Sequence, residues 1–188
     1  MGSPFRLDLA SSQANDEGRV KTIAAHTEEE QMKVQDVMTV DVHACPPEAN
    51  LAEVAQVMWE SDCGIVPIVD PHNRVRGVVT DRDVCIALGT RNQPAASVRA
   101  GDVMSTEVLT STATDDLAAA LDTMRSGRVR RVPVVDREGA LCGILSLDDV
   151  VLQTTEKSKD GRLKDAMVST LKVICEKWKA PRQTGAMA

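Results

Sequence analysis

Two short segments place a hydroxyl and a carboxylate at one spacing: Thr80-x-x-Asp83, after Gly77-Val78-Val79, and Ser146-x-x-Asp149, after Gly143-Ile144-Leu145. The apolar pair before each hydroxyl reads as the end of a buried strand, and the hydroxyl as the N-cap of the helix that follows. Free N–H groups at such a helix start, with the hydroxyl beside them, can receive a phosphate. A carboxylate one turn in can accept hydrogen bonds from a ribose diol. The same spacing is that of a capping box, in which both side chains serve only the helix end. The two roles are compatible, because a cap that exchanges its bond for a ligand phosphate loses little.

The elements that must position these corners occur twice. Asp36-Val37-Met38 returns as Asp102-Val103-Met104, an offset of 66 residues. That offset also carries Val42 to Val108, Leu51 to Leu117, Met58 to Met124, Pro67 to Pro133, Asp70 to Asp136 and Gly77 to Gly143, without a gap. One register held over so long a span marks a tandem repeat. Each copy opens with a short apolar run expected as a strand (Val40–Ala44; Val108–Leu109). A helix follows, capped by Asn50 or Asp116, with Leu51, Val54, Ala55 and Met58, or Leu117, Ala120, Leu121 and Met124, on one face. Two β-branched runs joined by a turn come next, Ile65–Val69 with Val75–Thr80 and Val132–Val135 with Cys142–Ser146. A second helix, Asp81–Leu88 or Leu147–Gln153, closes each copy. The expected fold is α+β: β-α-β-β-α twice, related by an approximate twofold axis.

The expected boundaries are a flexible leader over 1–31, a first repeat over 32–92, a second over 93–156, and a C-terminal helix and tail over 157–188. In the last of these, Leu163, Met167, Leu171, Ile174 and Trp178 share one face of an amphipathic helix. That face suits its own module or a second subunit, and the sequence leaves both open.

Composition narrows the partners. The 188 residues carry a net charge of −6, with no Tyr, one Phe and two Trp. The core must therefore be aliphatic, and nucleic acid is excluded as the main partner because a phosphate backbone calls for a basic surface. Five cysteines, widely spaced and without a C-x-x-C, fit neither a disulfide framework nor a zinc site. Cys63, Cys85, Cys142 and Cys175, which sit among aliphatic residues, read as small packing hydrophobes. No apolar run approaches the ~20 residues of a membrane span, and the expected location is cytoplasmic. His26, His43 and His72 are scattered, and acids at helix starts are explained by the helix dipole. No enzyme is expected, and no metal or covalent cofactor.

The D-V-M segments, the runs Val66-Pro67-Ile68-Val69-Asp70 and Val132-Pro133-Val134-Val135-Asp136, and the two G-x-x-S/T-x-x-D elements together resemble the tandem CBS-domain pair. The resemblance spans about Val34 to Thr154. It implies a regulatory module that binds an adenosine-containing ligand (AMP, ADP, ATP or S-adenosylmethionine) in the clefts between repeats. By the same resemblance the chain forms a homodimer and reports to a protein partner still to be identified. The hydroxyls Thr80 and Ser146 would touch phosphate, and Asp83 and Asp149 the ribose. Gly64, Ile65, Val66 and Pro67 would form the adenine turn of the first site; Arg130, Arg131, Val132 and Pro133 stand there in the second. Asp81 and Arg82 open the first site's helix, where Arg82 can reach phosphate; its counterpart Asp148 would repel it. Thr39 and Ser105, just after D-V-M, can line the same clefts. Arg128, Arg130 and Arg131 form a basic cluster that reads as a phosphate wall or as a solvated face. The alternative function is a structural or protein-interaction module with degenerate, empty clefts.

Overall fold

The computed structural model describes residues 31–157 and 161–179. The expected leader up to residue 30, the tail from Pro181 and the side chain of Trp178 lie outside what is described.

Helix α1 (Leu51–Glu60) starts where its cap dictates. Asn50 Oδ1 accepts from the N–H groups of Ala52 and Glu53, and the Glu53 carboxylate accepts from Asn50 N at 2.9 Å. Strands β1 (Ile65–Val69) and β2 (Val75–Thr80) form an antiparallel hairpin that runs into α2 (Asp81–Arg91). In the second copy, β3 (Ser111–Thr112) and α3 (Leu117–Gly127) precede the hairpin β4 (Arg131–Val135) and β5 (Leu141–Ser146). Helices α4 (Leu147–Lys157) and α5 (Gly161–Lys179) complete the chain.

The hairpins repeat pair for pair. Ile65 faces Thr80 as Arg131 faces Ser146, and Ile68 faces Gly77 as Val134 faces Gly143. The bulge between Ile68 and Val69 recurs between Val134 and Val135. Strand alternation puts Val66 and Ile68, or Val132 and Val134, into the cores.

The opening strands differ from expectation. Val40–Ala44 and Val108–Leu109 are not strands; Val40 is 67% and Leu109 41% exposed. Pairing falls a little further on, at the parallel β3–β4 contact of Ser111 with Val134 and the matching Cys45–Ile68 bridge. After Cys45 the Pro46-Pro47 pair lacks N–H donors and stops the ladder in the first copy.

The opening segments are also exchanged. Thr39 pairs with Ile144 of the second hairpin, and Ser105 with Val78 of the first. Val34 N donates to Asp115 O and Leu117 N to Met32 O, while Leu51 N donates to Val98 O and Ala100 N to Ala49 O. Val34 and Val37 thus complete the core built on Leu117, Leu121 and Met124, and Val98 and Ala100 the core built on Leu51 and Val54. Each core borrows its last wall from the other copy. The hairpin turns meet on the approximate axis, where Leu141 N donates to Asn73 O and Val75 N to Gly139 O.

Helix α5 turns its apolar face to its own chain. Leu163 is buried, Ala166, Met167, Leu171 and Ile174 pack on the second core, and the Thr170 hydroxyl donates to Leu121 O. Of the two docking sites left open by the sequence, the structure shows the one on its own module.

Candidate functional site

Each hairpin delivers its last strand residue directly into a helix N-terminus, which is what makes a corner. At the first corner, Thr80 Oγ1 accepts from Asp83 N at 3.2 Å and donates to Asp83 Oδ2 at 2.7 Å. Thr80 N donates to the same oxygen at 2.9 Å. The second corner repeats this: Asp149 N to Ser146 Oγ at 3.0 Å, Ser146 Oγ to Asp149 Oδ2 at 2.6 Å, and Ser146 N to Oδ2 at 3.1 Å. Both corners are therefore complete capping boxes. In each, a single carboxylate oxygen carries the box, and Oδ1 lies outside it.

The turns before β1 and β4 close over the corners in the same way. Asp81 N donates to Gly64 O, and Leu147 N to Arg130 O at 2.9 Å. Because of the exchange, the hydroxyl-bearing segment beside each corner comes from the other copy. Ser105 is bridged to Val78 of β2, two residues before Thr80, and Thr39 to Ile144 of β5, two residues before Ser146. This close passage explains the glycine of the motif. A Cβ on Gly143 would stand 2.7 Å from Thr39 O, and one on Gly77 2.6 Å from Met104 Sδ and 3.0 Å from Ser105 O.

The first corner thus gathers Gly64, Ile65, Thr80, Asp81, Arg82, Asp83 and Ser105, and the second Thr39, Arg130, Arg131, Ser146 and Asp149. Val66 and Val132 sit elsewhere: both are fully buried in the cores, so only their backbone is available to a ligand. Pro67 and Pro133 are buried on the opposite strand face. The basic cluster divides. Arg128 caps α3 in the left-handed region at φ 53°, whereas Arg130 and Arg131 approach Asp148 at 3.7 and 3.5 Å. Asp148 is thus offset by two guanidinium groups rather than left to act alone.

The cysteines split as well. Cys45 is buried, and burial, with Glu53 nearby, pushes its thiol up, which suits a packing role. Cys85 and Cys175 are exposed on helices and do not pack as small hydrophobes, a correction to the sequence reading. Among the described residues, no group of three His, Cys, Asp or Glu is placed to hold a metal ion, and no helix is long and apolar enough to cross a membrane.

The reciprocal exchange was not anticipated from sequence. Its signal lay in the motif glycines, which mark a close backbone approach without saying which segment approaches.

Fold and corners together define a class: two tandem α+β units that share their edges and carry matched strand-to-helix sites. The chain belongs to the CBS domain family, with residues 34–90 and 100–153 each matching a CBS domain. It is 30% identical over 131 residues to the CBS domain-containing protein YhcV of Bacillus subtilis, covering 68% of this chain and 89% of that one. Among solved structures it is similar to CBSX2 in complex with AMP (27% identity, TM-score 0.58, 66% of this chain and 96% of that one). The fold is also that of the CBS domain pair of protein MJ0100, solved with 5′-methylthioadenosine and S-adenosyl-L-methionine (21% identity, TM-score 0.62, 68% and 99%).

Proposed function

We propose that this chain is a ligand-sensing regulatory module that takes an adenosine-containing ligand, AMP or a chemical relative, at its two corners. The observation that carries this reading is the doubled box: a hydroxyl and a carboxylate at one helix start, with the other copy's segment laid alongside. The AMP held by a relative of the same fold supports the ligand class. On binding, the Thr80 or Ser146 hydroxyl redirects its proton from the carboxylate to phosphate at the positive end of the helix. The carboxylate oxygen so released joins Oδ1 in accepting from the ribose diol. No covalent bond is made or broken, and no turnover is expected.

A ligand so held touches both copies at once, because each corner is built from both. It therefore favours one relative placement of the exchanged segments, which is the differential affinity that regulation requires. The output is a change in affinity for a protein partner in the cytoplasm. The chain pairs with a second copy through α1 and α2, whose outer surface carries Trp59 and Ile86, 87% and 50% exposed. The matching face of the second repeat of the same chain is already occupied by α5.

A second reading is an interaction module whose corners stay closed. The complete capping boxes and the Arg–Asp148 pairs favour it, since the box hydroxyls and the Asp148 carboxylate already have partners. Calorimetric titration with AMP, ATP and S-adenosylmethionine separates the two. The sensing reading expects saturable heat at millimolar ligand or below, with Asp83→Ala and Asp149→Ala each removing one site. Absence of heat and of any thermal shift with all three ligands sinks it in favour of the closed module.

A further inference from the structure

Arg131 belongs by sequence to the second corner, where it faces Ser146 across the hairpin. Its counterpart in the first copy is Ile65, which faces Thr80. Yet its guanidinium leans over the seam. A Cβ on Gly64 would lie 3.7 Å from Arg131 Nη1 and 3.3 Å from Asp81 Oδ2, so the Arg131 head stands at the turn that opens the first corner. Its Nη2 is meanwhile 3.5 Å from Asp148 Oδ2 at the start of α4, and Arg130 Nη2 is 3.7 Å from Oδ1 of the same carboxylate.

Those separations exceed the ~2.7–2.9 Å of a direct charge-assisted hydrogen bond. The partners are also partly exposed, Arg131 by 32% and Asp148 by 60%. Such a tether is loose and weak, and the guanidinium can turn to a better anion. Where the second corner has Asp148, the first has Arg82 at the same offset; the start of α2 thus carries one cation beside the Asp81 carboxylate, and Arg131 adds a second cation from across the seam.

We propose that Arg131 completes the first corner from the opposite copy, selecting a phosphate-bearing ligand there, and that its withdrawal from Asp148 makes the second corner less receptive to an anion. The proposal rests on the adenosine reading and adds an order of filling to it. AMP binds in two steps, the first corner ahead of the second. Adenosine, which lacks the phosphate, does not distinguish the corners through this residue.

The test uses AMP and adenosine on single-corner backgrounds, with Asp149→Ala leaving the first corner and Asp83→Ala the second. In the first-corner background, Arg131→Ile, which installs the residue of the matching strand position, is expected to weaken AMP about tenfold, the loss of one partly screened charge-assisted bond. Adenosine affinity stays unchanged. Asp148→Asn, which frees Arg131 from its tether, strengthens AMP there severalfold. If Arg131→Ile weakens AMP only in the second-corner background, the residue serves its own copy and the proposal is overturned. Equal losses for AMP and adenosine overturn it too, as a structural effect. A wild-type chain that binds neither ligand removes the adenosine reading and this proposal together, whereas binding indifferent to Arg131→Ile removes this one alone.

Discussion

Shifted by 66 positions, the first hairpin falls on the second residue for residue, bulge included, but the helical faces behind them do not correspond. In the second copy Leu121 is fully buried, and α5 packs over it, with the Thr170 hydroxyl on the Leu121 carbonyl. The matching position in the first copy is Ala55, and beside it Trp59 stands 87% exposed where the second copy has Arg125 in an ion pair with Asp122. The lesson is that duplication here repeats the interior that shapes the corner, while the outward faces carry separate tasks. One face holds a helix of its own chain, and the other is left open.

The largest effects should expose that division. Leu121→Ala opens a cavity beneath α5 and is expected to cost about 2–5 kcal/mol, the range for a buried Leu truncation. Trp59→Ala, on the open face, is expected to change the stability of a single chain by no more than about 0.5 kcal/mol. Urea midpoints for the two variants at low protein concentration make the comparison. A cost below about 1 kcal/mol for Leu121→Ala would mean that α5 does not lean on this residue.

The motif glycines sharpen the comparison at the corners. Gly143→Ala presses a methyl against the backbone carbonyl of Thr39 at 2.7 Å, whereas at Gly77 the first atom met, at 2.6 Å, is the sulfur of Met104. A thioether on three rotatable bonds can move aside more readily than a carbonyl held in a bridge to Ile144. Gly143→Ala is therefore expected to cost about 1–3 kcal/mol as an overpacking change, and Gly77→Ala less. Equal costs would show that both exchanged segments yield alike.

Much of this was legible in the residues. The offset, the apolar spacing in α1 and α3 and the turn chemistry at Asp70 and Asp136 place most elements, because those signals are local. The box residues Thr80, Asp83, Ser146 and Asp149 were legible for the same reason, being a few positions apart on one helix start. What stayed hidden depends on partners far away in sequence. The exchange of Val34 and Val98 between cores follows from which apolar patch each segment covers, and both patches accept either by composition. The strand reading of Val40–Ala44 failed because β-branched residues fit a strand only where a neighbour offers a ladder, and here the run faces solvent. The burial of Val66 and Val132 is the alternation of β1 and β4 taken with the side of the sheet that the helices occupy. Sequence gives the alternation but not the side.

The smallest effect separates the two hairpin turns. Asp70 Oδ1 accepts from His72 N and Arg74 N, and Asp136 Oδ1 accepts from Glu138 N and Ala140 N in the same manner. His72 of the first turn stands where the second has Glu138, and Arg76 where it has Cys142, with His72 and Arg76 near Asp70. The Arg74 N–H above all, then the His72 N–H and the charges of His72 and Arg76, hold the Asp70 carboxyl below its ordinary value of 3.8. A carboxyl whose folded value is depressed stabilises the fold above the unfolded value, and that contribution is lost as pH falls through the folded value. Asp70→Asn keeps the accepting oxygen of the turn and removes only the charge. The variant is therefore expected to be slightly less stable than the parent near neutral pH, with the gap closing once the pH is well under 3.8. Urea midpoints at the two pH values read it directly. A gap of the same size in acid would assign the loss to the geometry of the turn instead of its charge.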